Sequence, residues 1–321
     1  MRKIPAVPAV LAVLGLAAVG LAGCSQPGSS ACPRPADADT SVSDLISVSG
    51  STDAEPEITV YTPFHTDQTV VKDVETGEGT PITTDSQLVV LDVTIVGGST
   101  GEPLVSTAYS GSLADPVQLS RITQSVPALT DALHCAAPGT RTVVALAPGD
   151  IEAETAASWG LAEDESAVAV VDIRKVYLSR ADGADVFNSA SGLPSVVRAP
   201  DGRPGIIIPD AEPPTEIVVQ TIKRGNGDVV TGDVPVRIHY TGVSWADKTV
   251  TDTTWDSEPV SITLDAILPG FSEALTGQTV GSQVMVVVPA SDAGGEQGAG
   301  ETLVFVIDIL GLDEPPAEPA E

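Results

Sequence analysis

The chain has 321 residues and a formal net charge of −29 at pH 7, with 44 acidic residues against 15 lysines and arginines. At roughly 150 residues per domain, this length suits two domains. The excess of negative charge excludes a surface that binds nucleic acid or anionic lipid headgroups, because both repel an acidic protein. We expect no nucleic-acid partner.

The first 23 residues predict a lipoprotein signal peptide. Arg2 and Lys3 precede an apolar run, residues 6–21, which ends in the lipobox Leu-Ala-Gly-Cys24. This run is short for a membrane-spanning helix, which needs about 20 residues. We expect export, cleavage before Cys24 and lipidation of its thiol; an ordinary signal peptide or a retained helix is the alternative. The predicted location is extracytoplasmic, on the outer face of the cell membrane, with the lipid as the only membrane contact.

Cys32 and Cys135 remain once Cys24 carries lipid. A cysteine pair in an exported chain is more often a disulfide than a metal site, and no histidine lies at ligand spacing from a thiol. We expect a bridge between Cys32 and Cys135 and no bound metal. Closing a loop of about 100 residues would stabilise the fold by up to about 4–5 kcal/mol on the chain-entropy model.

From Ile46 the sequence repeats itself. Residues 46–79 align without a gap on residues 194–227, and the alternating run that ends in Ile95 and Gly97 matches the one that ends in Tyr240 and Gly242. The repeat predicts two copies of one domain. The boundaries are a tether over residues 24–45, copies over residues 46–178 and 194–313, a linker over residues 179–193 and a disordered tail over residues 314–321.

Within each copy, short alternating runs are separated by Gly, Pro and Asp turns, which is typical of antiparallel strands. One brief helix is predicted in the second copy, from Ile267 to Thr276, with Pro269 in its first turn and Gly277 at its end. A single apolar helix face needs a sheet to cover it. The predicted fold class is α+β: two tandem domains, each a curved antiparallel sheet wrapped round one short helix.

Four stretches of the second copy carry a family resemblance. They are a Gly-Asn-Gly turn at residues 225–227, Ile-His-Tyr-Thr-Gly at 238–242, Trp-Asp-Ser at 255–257 and Ile-Leu-Pro-Gly-Phe at 267–271. Shorter matches complete the set, among them Val280-Gly281, Pro289 and Thr-Leu-Val-Phe at residues 302–305. In this order and spacing, most of residues 218–312 resembles the FKBP-type peptidyl-prolyl isomerases, which usually have Phe-Asp-Ser in the third stretch. The whole chain resembles the two-domain FKBP lipoproteins of actinobacteria, which implies two tandem FKBP-like domains.

The resemblance implies roles for individual side chains. Five residues correspond to the family's catalytic positions: Tyr240, Trp255, Asp256, Phe271 and Phe305. Three more correspond to substrate-binding positions: Val260, Ile267 and Leu268. Without the resemblance, the aromatic residues would be assigned to core packing and Asp256 to an exposed turn. His239 alternates with apolar neighbours, and we expect it to point outward into solvent.

The resemblance also has gaps. Ala293 stands where the family has a tyrosine, and the loop that follows, residues 295–300, is short. In the first copy, Ile95 and Leu129 align with Tyr240 and Phe271, so that copy reads as degenerate. We expect a monomeric prolyl isomerase without a cofactor, active in the C-terminal copy on proline-containing exported polypeptides whose folding it assists. A non-catalytic FKBP-like binding or chaperone lipoprotein is the alternative.

Overall fold

The computed structural model describes residues 32–35, 40–188, 190–267, 269–293 and 300–314. Cys24 and Leu268 lie outside these ranges. Described residues from Arg34 onward belong to one unit, residues 34–321, distinct from residues 1–33. No helix within the described ranges is long and apolar enough to cross a membrane.

Two antiparallel sheets, one from each half of the chain, dominate the fold. The elements of the first half are α1 (Thr40–Ser43), β1 (Ile46–Ser49), β2 (Glu57–Val60), β3 (Val70–Glu75), β4 (Leu88–Gly97), β5 (Pro103–Ser106), β6 (Val117–Gln118), α2 (Leu119–Ser125), α3 (Leu129–Leu133), β7 (Arg141–Leu146), α4 (Ala153–Ser158) and β8 (Ala167–Val176). The elements of the second half are β9 (Ala184–Asp185), β10 (Ser195–Arg198), β11 (Pro204–Ile207), β12 (Val218–Arg224), β13 (Val236–Ser244), β14 (Val250–Thr253), β15 (Val260–Ile262), α5 (Pro269–Leu275), β16 (Gln283–Val288) and β17 (Leu303–Leu312).

The two sheets have the same strand order. The N-terminal sheet runs β3-β7-β8-β4-β5, with β6 also paired to β4. The C-terminal sheet runs β12-β16-β17-β13-β14, with β15 also paired to β13 and β9 added outside β12. In each half a separate two-stranded hairpin precedes the sheet, β1-β2 in the first and β10-β11 in the second.

Each sheet is covered on both faces. In the C-terminal sheet, α5 packs on one face through Phe271 and Leu275, and the segment that includes β10 and β11 packs on the other through Ile206 and Ile208. Every residue of β16 is therefore buried, which explains its almost unbroken run of valines, because a strand buried on both faces loses the polar-apolar alternation. The cover on the second face was not part of the predicted architecture.

Helix α5 lies within the predicted span of residues 267–276. Pro269 is its first residue, where the missing N–H has no cost. Gly277 follows with φ of +77°, a left-handed conformation that glycine adopts without strain, and its N–H donates to the carbonyl of Val230 at 2.9 Å.

The segment predicted as a linker, residues 179–193, is partly built into the C-terminal sheet. Strand β9 pairs with β12, with Asp185 opposite Lys223. Ala181 is buried, and its N–H donates to the carboxylate of Asp308 at 2.8 Å. The first half of this segment is therefore attached to the C-terminal sheet and is not a free connection.

Direct contacts join the two halves. The hydroxyl of Tyr177, at the end of the first half, donates to Asp313 at 2.7 Å, and the N–H of Leu178 donates to the carbonyl of Leu310 at 3.1 Å. Glu314 accepts from the N–H of Leu113 at 2.7 Å. Glu314, predicted as the first residue of a disordered tail, is thus held in place; residues 315–321 lie outside the described ranges.

The N-terminal end of the described chain is also held. The guanidinium of Arg34 binds the carboxylate of Asp73 at 2.6 and 2.8 Å and donates to the carbonyl of Ala132 at 2.8 Å. This part of the predicted tether, residues 24–45, is therefore fixed. Cys32 and Cys135 are each disulfide-bonded; that they bond to each other stays a prediction.

The strand registers identify equivalent positions in the two sheets. In the N-terminal sheet Arg141 of β7 lies opposite Asp172 of β8, and in the C-terminal sheet Gln283 of β16 lies opposite Asp308 of β17. A buried aspartate thus occupies the same place in both halves. Its partner is an arginine in one half and a glutamine in the other.

This equivalence corrects the predicted alignment on the central strand by two residues. Counted from the two aspartates, Val93 of β4 lies where Tyr240 of β13 lies, and Ile95 lies where Gly242 lies. The prediction had placed Ile95 at the position of Tyr240. Hydrophobic alternation has a period of two, so a shift of two residues preserves the pattern and sequence alone does not detect it.

Candidate active site

A hollow of about 850 Å³ opens between α5 and the face of the C-terminal sheet that this helix covers. This volume lies within the range typical of small-ligand sites. Its apolar lining comes from β13, β15, the segment before α5, α5 and β17: Ile238, Val260, Ile262, Ala266, Ile267, Phe271, Leu303 and Phe305. The predicted substrate-binding residues Val260 and Ile267 are therefore present in the lining.

Three aromatic rings from three elements meet at this hollow. The ring centres of Phe271 and Phe305 are 4.6 Å apart, and Tyr240 lies 5.8 Å from the first and 6.3 Å from the second. All three pairs are edge-to-face, a favourable arrangement of aromatic quadrupoles. Three of the five residues predicted to be catalytic therefore lie together at this hollow.

The position of the Phe305 ring depends on a glycine. Gly242 of β13 lies directly opposite Phe305 of β17, and a Cβ built at Gly242 would lie 2.7 Å from Cε1 of that ring. Any larger side chain at residue 242 would force the ring to move. Gly242 therefore leaves free the space that the Phe305 ring occupies at the edge of the hollow.

The carboxylate beside the aromatic rings belongs to Asp252. This residue of β14 lines the hollow and accepts a hydrogen bond from the hydroxyl of Tyr240. Burial raises the pKa of Tyr240, and the neighbouring Asp252 carboxylate raises it further. Tyr240 therefore stays protonated at neutral pH and remains a donor.

The prediction assigned this carboxylate to Asp256, and the structure corrects it. The side chain of Asp256 is 69% exposed, pairs with Arg203 and does not line the hollow. The reason is the extent of β14, which ends at Thr253 and sets Asp252 opposite Gly242. The Trp-Asp-Ser stretch follows after the strand, so its resemblance to the family's Phe-Asp-Ser pointed to the wrong aspartate.

Trp255, also predicted as catalytic, does not line the hollow. Its ring stacks on His239, with centres 4.6 Å apart and planes at 21°. His239 is buried rather than solvated, and its Nδ1 lies 2.9 Å from Oγ1 of Thr254. Alternation on β13 does turn His239 away from the hollow, but this second face of the sheet is covered as well.

Burial, together with the positive charge of the nearby Arg203, lowers the pKa of His239 to about 4. The imidazole is therefore neutral across the physiological range. A stacked, neutral histidine on the opposite face of β13 has no access to a ligand in the hollow.

Three polar lining residues were missed from the sequence: Thr251, Asp252 and Asp265. Asp252 could have been found from the sequence, because it lies two residues after Val250 in a short alternating run that pairs with β13. Asp265 follows directly after buried Leu264. Leu268, predicted to bind a peptide carbonyl through its N–H, lies outside the described residues.

The corresponding place in the N-terminal sheet is occupied by its own side chains. Ala169 takes the position of Phe305 and Ile95 takes that of Gly242, and Ile95 is 2% exposed. Leu129, on α3, is fully buried in the same cluster. The large side chain of this pair therefore belongs to β17 in the C-terminal half. In the N-terminal half it belongs to β4 and lies inside the core.

Comparisons with known proteins point to one family. A sequence model of the FKBP-type peptidyl-prolyl cis-trans isomerase family matches residues 225–310. The FK506-binding protein of Streptomyces anulatus is 30% identical over 120 residues, which is 34% of this chain and 97% of that protein. The FKBP-type 22 kDa peptidyl-prolyl cis-trans isomerase of Escherichia coli is 35% identical over 102 residues, 28% of this chain and 47% of that protein.

Among solved structures, the three FKBP domains of wheat FKBP73 match 76% of this chain and 94% of that one, at 14% identity and a TM-score of 0.31. The relative from Streptomyces is matched over nearly its whole length, and the residues that the family model matches lie in the half of the chain that contains the aromatic hollow. The chain belongs to the FKBP-type peptidyl-prolyl cis-trans isomerase family.

Proposed function

We propose that the hollow of the C-terminal sheet catalyses cis–trans isomerisation of peptidyl-prolyl bonds. The observation that carries the proposal is the meeting of Tyr240, Phe271 and Phe305 around one apolar space. A proline ring is apolar and compact, and edge-to-face rings offer it a matching surface. Membership of the family supports the same reaction.

The chemistry needs no nucleophile. Rotation about the X–Pro bond faces a barrier of about 18–20 kcal/mol because amide resonance is lost at the twisted geometry. The planar amide is more dipolar than the twisted one, so an apolar site disfavours the ground state relative to the transition state. This is catalysis by differential binding.

The described residues fit distinct roles in this scheme. Phe271 and Phe305 hold the proline ring, and Val260 and Ile267 line the side of the hollow. Tyr240 is fixed by its bond to Asp252, which leaves lone pairs on the phenol oxygen free to accept from a peptide N–H. The pair therefore orients the amide without taking part in bond making or breaking.

We further propose that the two halves are tandem FKBP-like copies and that only the second is active. The shared strand order of the two sheets supports a duplication. Ile95, Ala169 and Leu129 fill the first copy at the positions where the second has Gly242, Phe305 and Phe271. A core packed in this way leaves a proline ring no room.

The same proposal extends to location. The lipobox that ends at Cys24 supports a lipid anchor outside the cytoplasm, where proline-containing exported polypeptides would be the substrates whose folding is assisted. Replacing Cys24 with serine is expected to move the protein from the membrane fraction to the soluble exported fraction. Retention in the membrane fraction would contradict the anchor.

A protease-free isomerisation assay on the mature chain, residues 24–321, tests the catalytic proposal. Phe271→Ala is expected to lower kcat/KM at least about tenfold, because it removes one wall of the hollow. Phe187→Ala is the matched control, since Phe187 is 91% exposed and does not line the hollow; it should leave the rate unchanged. Peptide binding without any turnover would favour the non-catalytic alternative.

A further inference from the structure

The charged side chains that line the hollow are all acidic. Asp252 and Asp265 are the two ionisable side chains of the lining besides Tyr240, and both are exposed to solvent. Asp252 accepts from the Tyr240 hydroxyl, which leaves its negative charge in place. Within the described residues, Asp265 has no lysine, arginine or histidine nitrogen within 4.0 Å.

The sequence explains why no cation offsets these charges. Lys248 is the last lysine or arginine of the chain. Strands β14, β15 and β17 and helix α5, which supply most of the lining, all lie after this residue.

The cationic and titratable residues on neighbouring parts of the fold are already engaged. Arg237 of β13 binds Asp313 at 2.8 Å, and His239 is neutral and faces the other side of the strand. Arg121 pairs with Glu258, two residues before the lining residue Val260, and so balances that carboxylate. The net charge at the mouth of the hollow is therefore negative.

The apolar stem and the charged end of a lysine or arginine side chain both match the residues at the mouth of the hollow. Its methylene stem can lie along apolar residues such as Val260 and Ile262 while the charged end stays in water next to a carboxylate. Two opposite charges 4 Å apart attract by about 1 kcal/mol in bulk water. At an exposed site this corresponds to a preference of about fivefold, since 1.4 kcal/mol is tenfold.

We infer that the hollow selects prolyl peptides with a lysine or arginine directly beside the proline. This inference rests on the proposed isomerase function of the same hollow and adds its substrate class. Asp265 is the specificity-determining residue, because its carboxylate lines the hollow and no described cation pairs with it.

The experiment measures kcat/KM of the mature chain, residues 24–321, on peptide pairs that differ in one charge. Each pair has lysine or Nε-acetyl-lysine next to the proline, on its amino side in one pair and on its carboxyl side in the other. We expect the lysine peptide of at least one pair to react about fivefold faster in 0.05 M salt. In 1 M salt, where the Debye length is about 3 Å, the ratio should fall towards one.

Two variants locate the effect. Asp265→Asn is expected to reduce the lysine preference to about twofold or less. Glu273→Gln removes the same charge from an exposed position of α5 outside the lining and should leave the preference intact.

The outcomes separate the two claims. Equal rates for lysine and acetyl-lysine in both pairs, with turnover present, would overturn the inference and leave the isomerase proposal standing. A preference that survives Asp265→Asn unchanged would also overturn it. No turnover of any peptide would overturn the proposed function and this inference with it.

Discussion

The two sheets share a strand order but differ in what occupies the space under their central strands. The C-terminal sheet combines Gly242 with Phe305, and the aromatic ring reaches over the glycine to border an open hollow. The N-terminal sheet combines Ile95 with Ala169 at the same two positions, and the isoleucine is buried in the core. The large side chain thus lies on one strand in the sheet with the hollow and on the neighbouring strand in the sheet with the packed interior. This difference separates a binding site from a filled core in two sheets of the same strand order.

A second difference lies at the buried aspartates. In the N-terminal sheet the guanidinium of Arg141 makes two bonds to Asp172, at 2.6 and 2.8 Å, and donates further to the carbonyl of Gly50. In the C-terminal sheet the donors to Asp308 among the described residues are the neutral side chain of Gln283 and the N–H of Ala181. The same carboxylate is charge-paired in one half and merely hydrogen-bonded in the other.

The largest effect is expected from giving the N-terminal sheet the glutamine of the C-terminal one. Arg141 and Asp172 are each 1% exposed, so Arg141→Gln leaves a buried carboxylate without its counter-charge. We expect a loss of about 3–5 kcal/mol in the free energy of unfolding, measured by urea denaturation. The double variant Arg141→Gln/Asp172→Asn should recover part of this loss; if Arg141→Gln costs less than about 1 kcal/mol, the pair is not an important contact.

The hollow itself is tested by giving the C-terminal sheet the residues of the N-terminal one. Phe305→Ala alone leaves a void, and Gly242→Ile alone drives a side chain into the ring, so each should lower the melting temperature. The double variant should be more stable than the two separate losses predict, because the isoleucine fills the space the ring has left. Its isomerase rate should nevertheless fall about 100-fold. A double variant with activity within threefold of the natural chain would show that the hollow is not the site.

The unpaired aspartate predicts a pH dependence. Burial raises the pKa of Asp308 to about 6 from an ordinary value of 3.8, while bonds from Ala181 and Gln283 and the charges of Arg198 and Lys223 oppose the rise. The folded state therefore holds the proton more tightly than the unfolded state does. The stability due to this group is complete below about pH 3.8 and is lost as pH rises through about 6.

For a shift of about two pH units, the loss between pH 4 and pH 7 is up to about 3 kcal/mol. Urea unfolding at several pH values, compared between the natural chain and Asp308→Asn, isolates this contribution from other carboxylates. The variant should lack this part of the slope. Parallel curves for the two proteins would show that Asp308 does not titrate in this range.

The smallest effects distinguish two aspartates four residues apart. Asp252→Asn weakens the acceptor of the Tyr240 hydroxyl and should lower kcat/KM up to about tenfold. Asp256→Asn removes only an exposed pair with Arg203, and such pairs contribute about 0–1 kcal/mol, so its kcat/KM should change less than twofold. The reverse order of effects would restore Asp256 to the site.

The class of the fold and most of the aromatic hollow could be predicted from the sequence. Alternation, turn residues and the proline and glycine that bracket α5 depend on local physics, so their positions can be predicted. The resemblance located Phe271, Phe305 and Tyr240 because each lies within a regular element whose register is fixed.

The failures share a different cause. Asp252 and Asp256 are separated by the end of a strand, and which of them meets Tyr240 depends on where β14 stops. His239 was expected in water because nothing in its own strand reveals that a distant segment covers that face. The two-residue shift between Ile95 and Val93 is invisible to periodicity. In each case a contact between segments far apart in the chain decided the outcome.

Strand β9 determines where a fragment that contains only the C-terminal copy should begin. A fragment that starts at residue 194 would lose Asp185 from the edge of β12 and the Ala181 N–H from Asp308. Its outermost strand would then offer unpaired backbone groups to other molecules, a common origin of aggregation. Expression boundaries for the C-terminal copy should therefore be drawn no later than residue 178, upstream of where the repeat in the sequence begins.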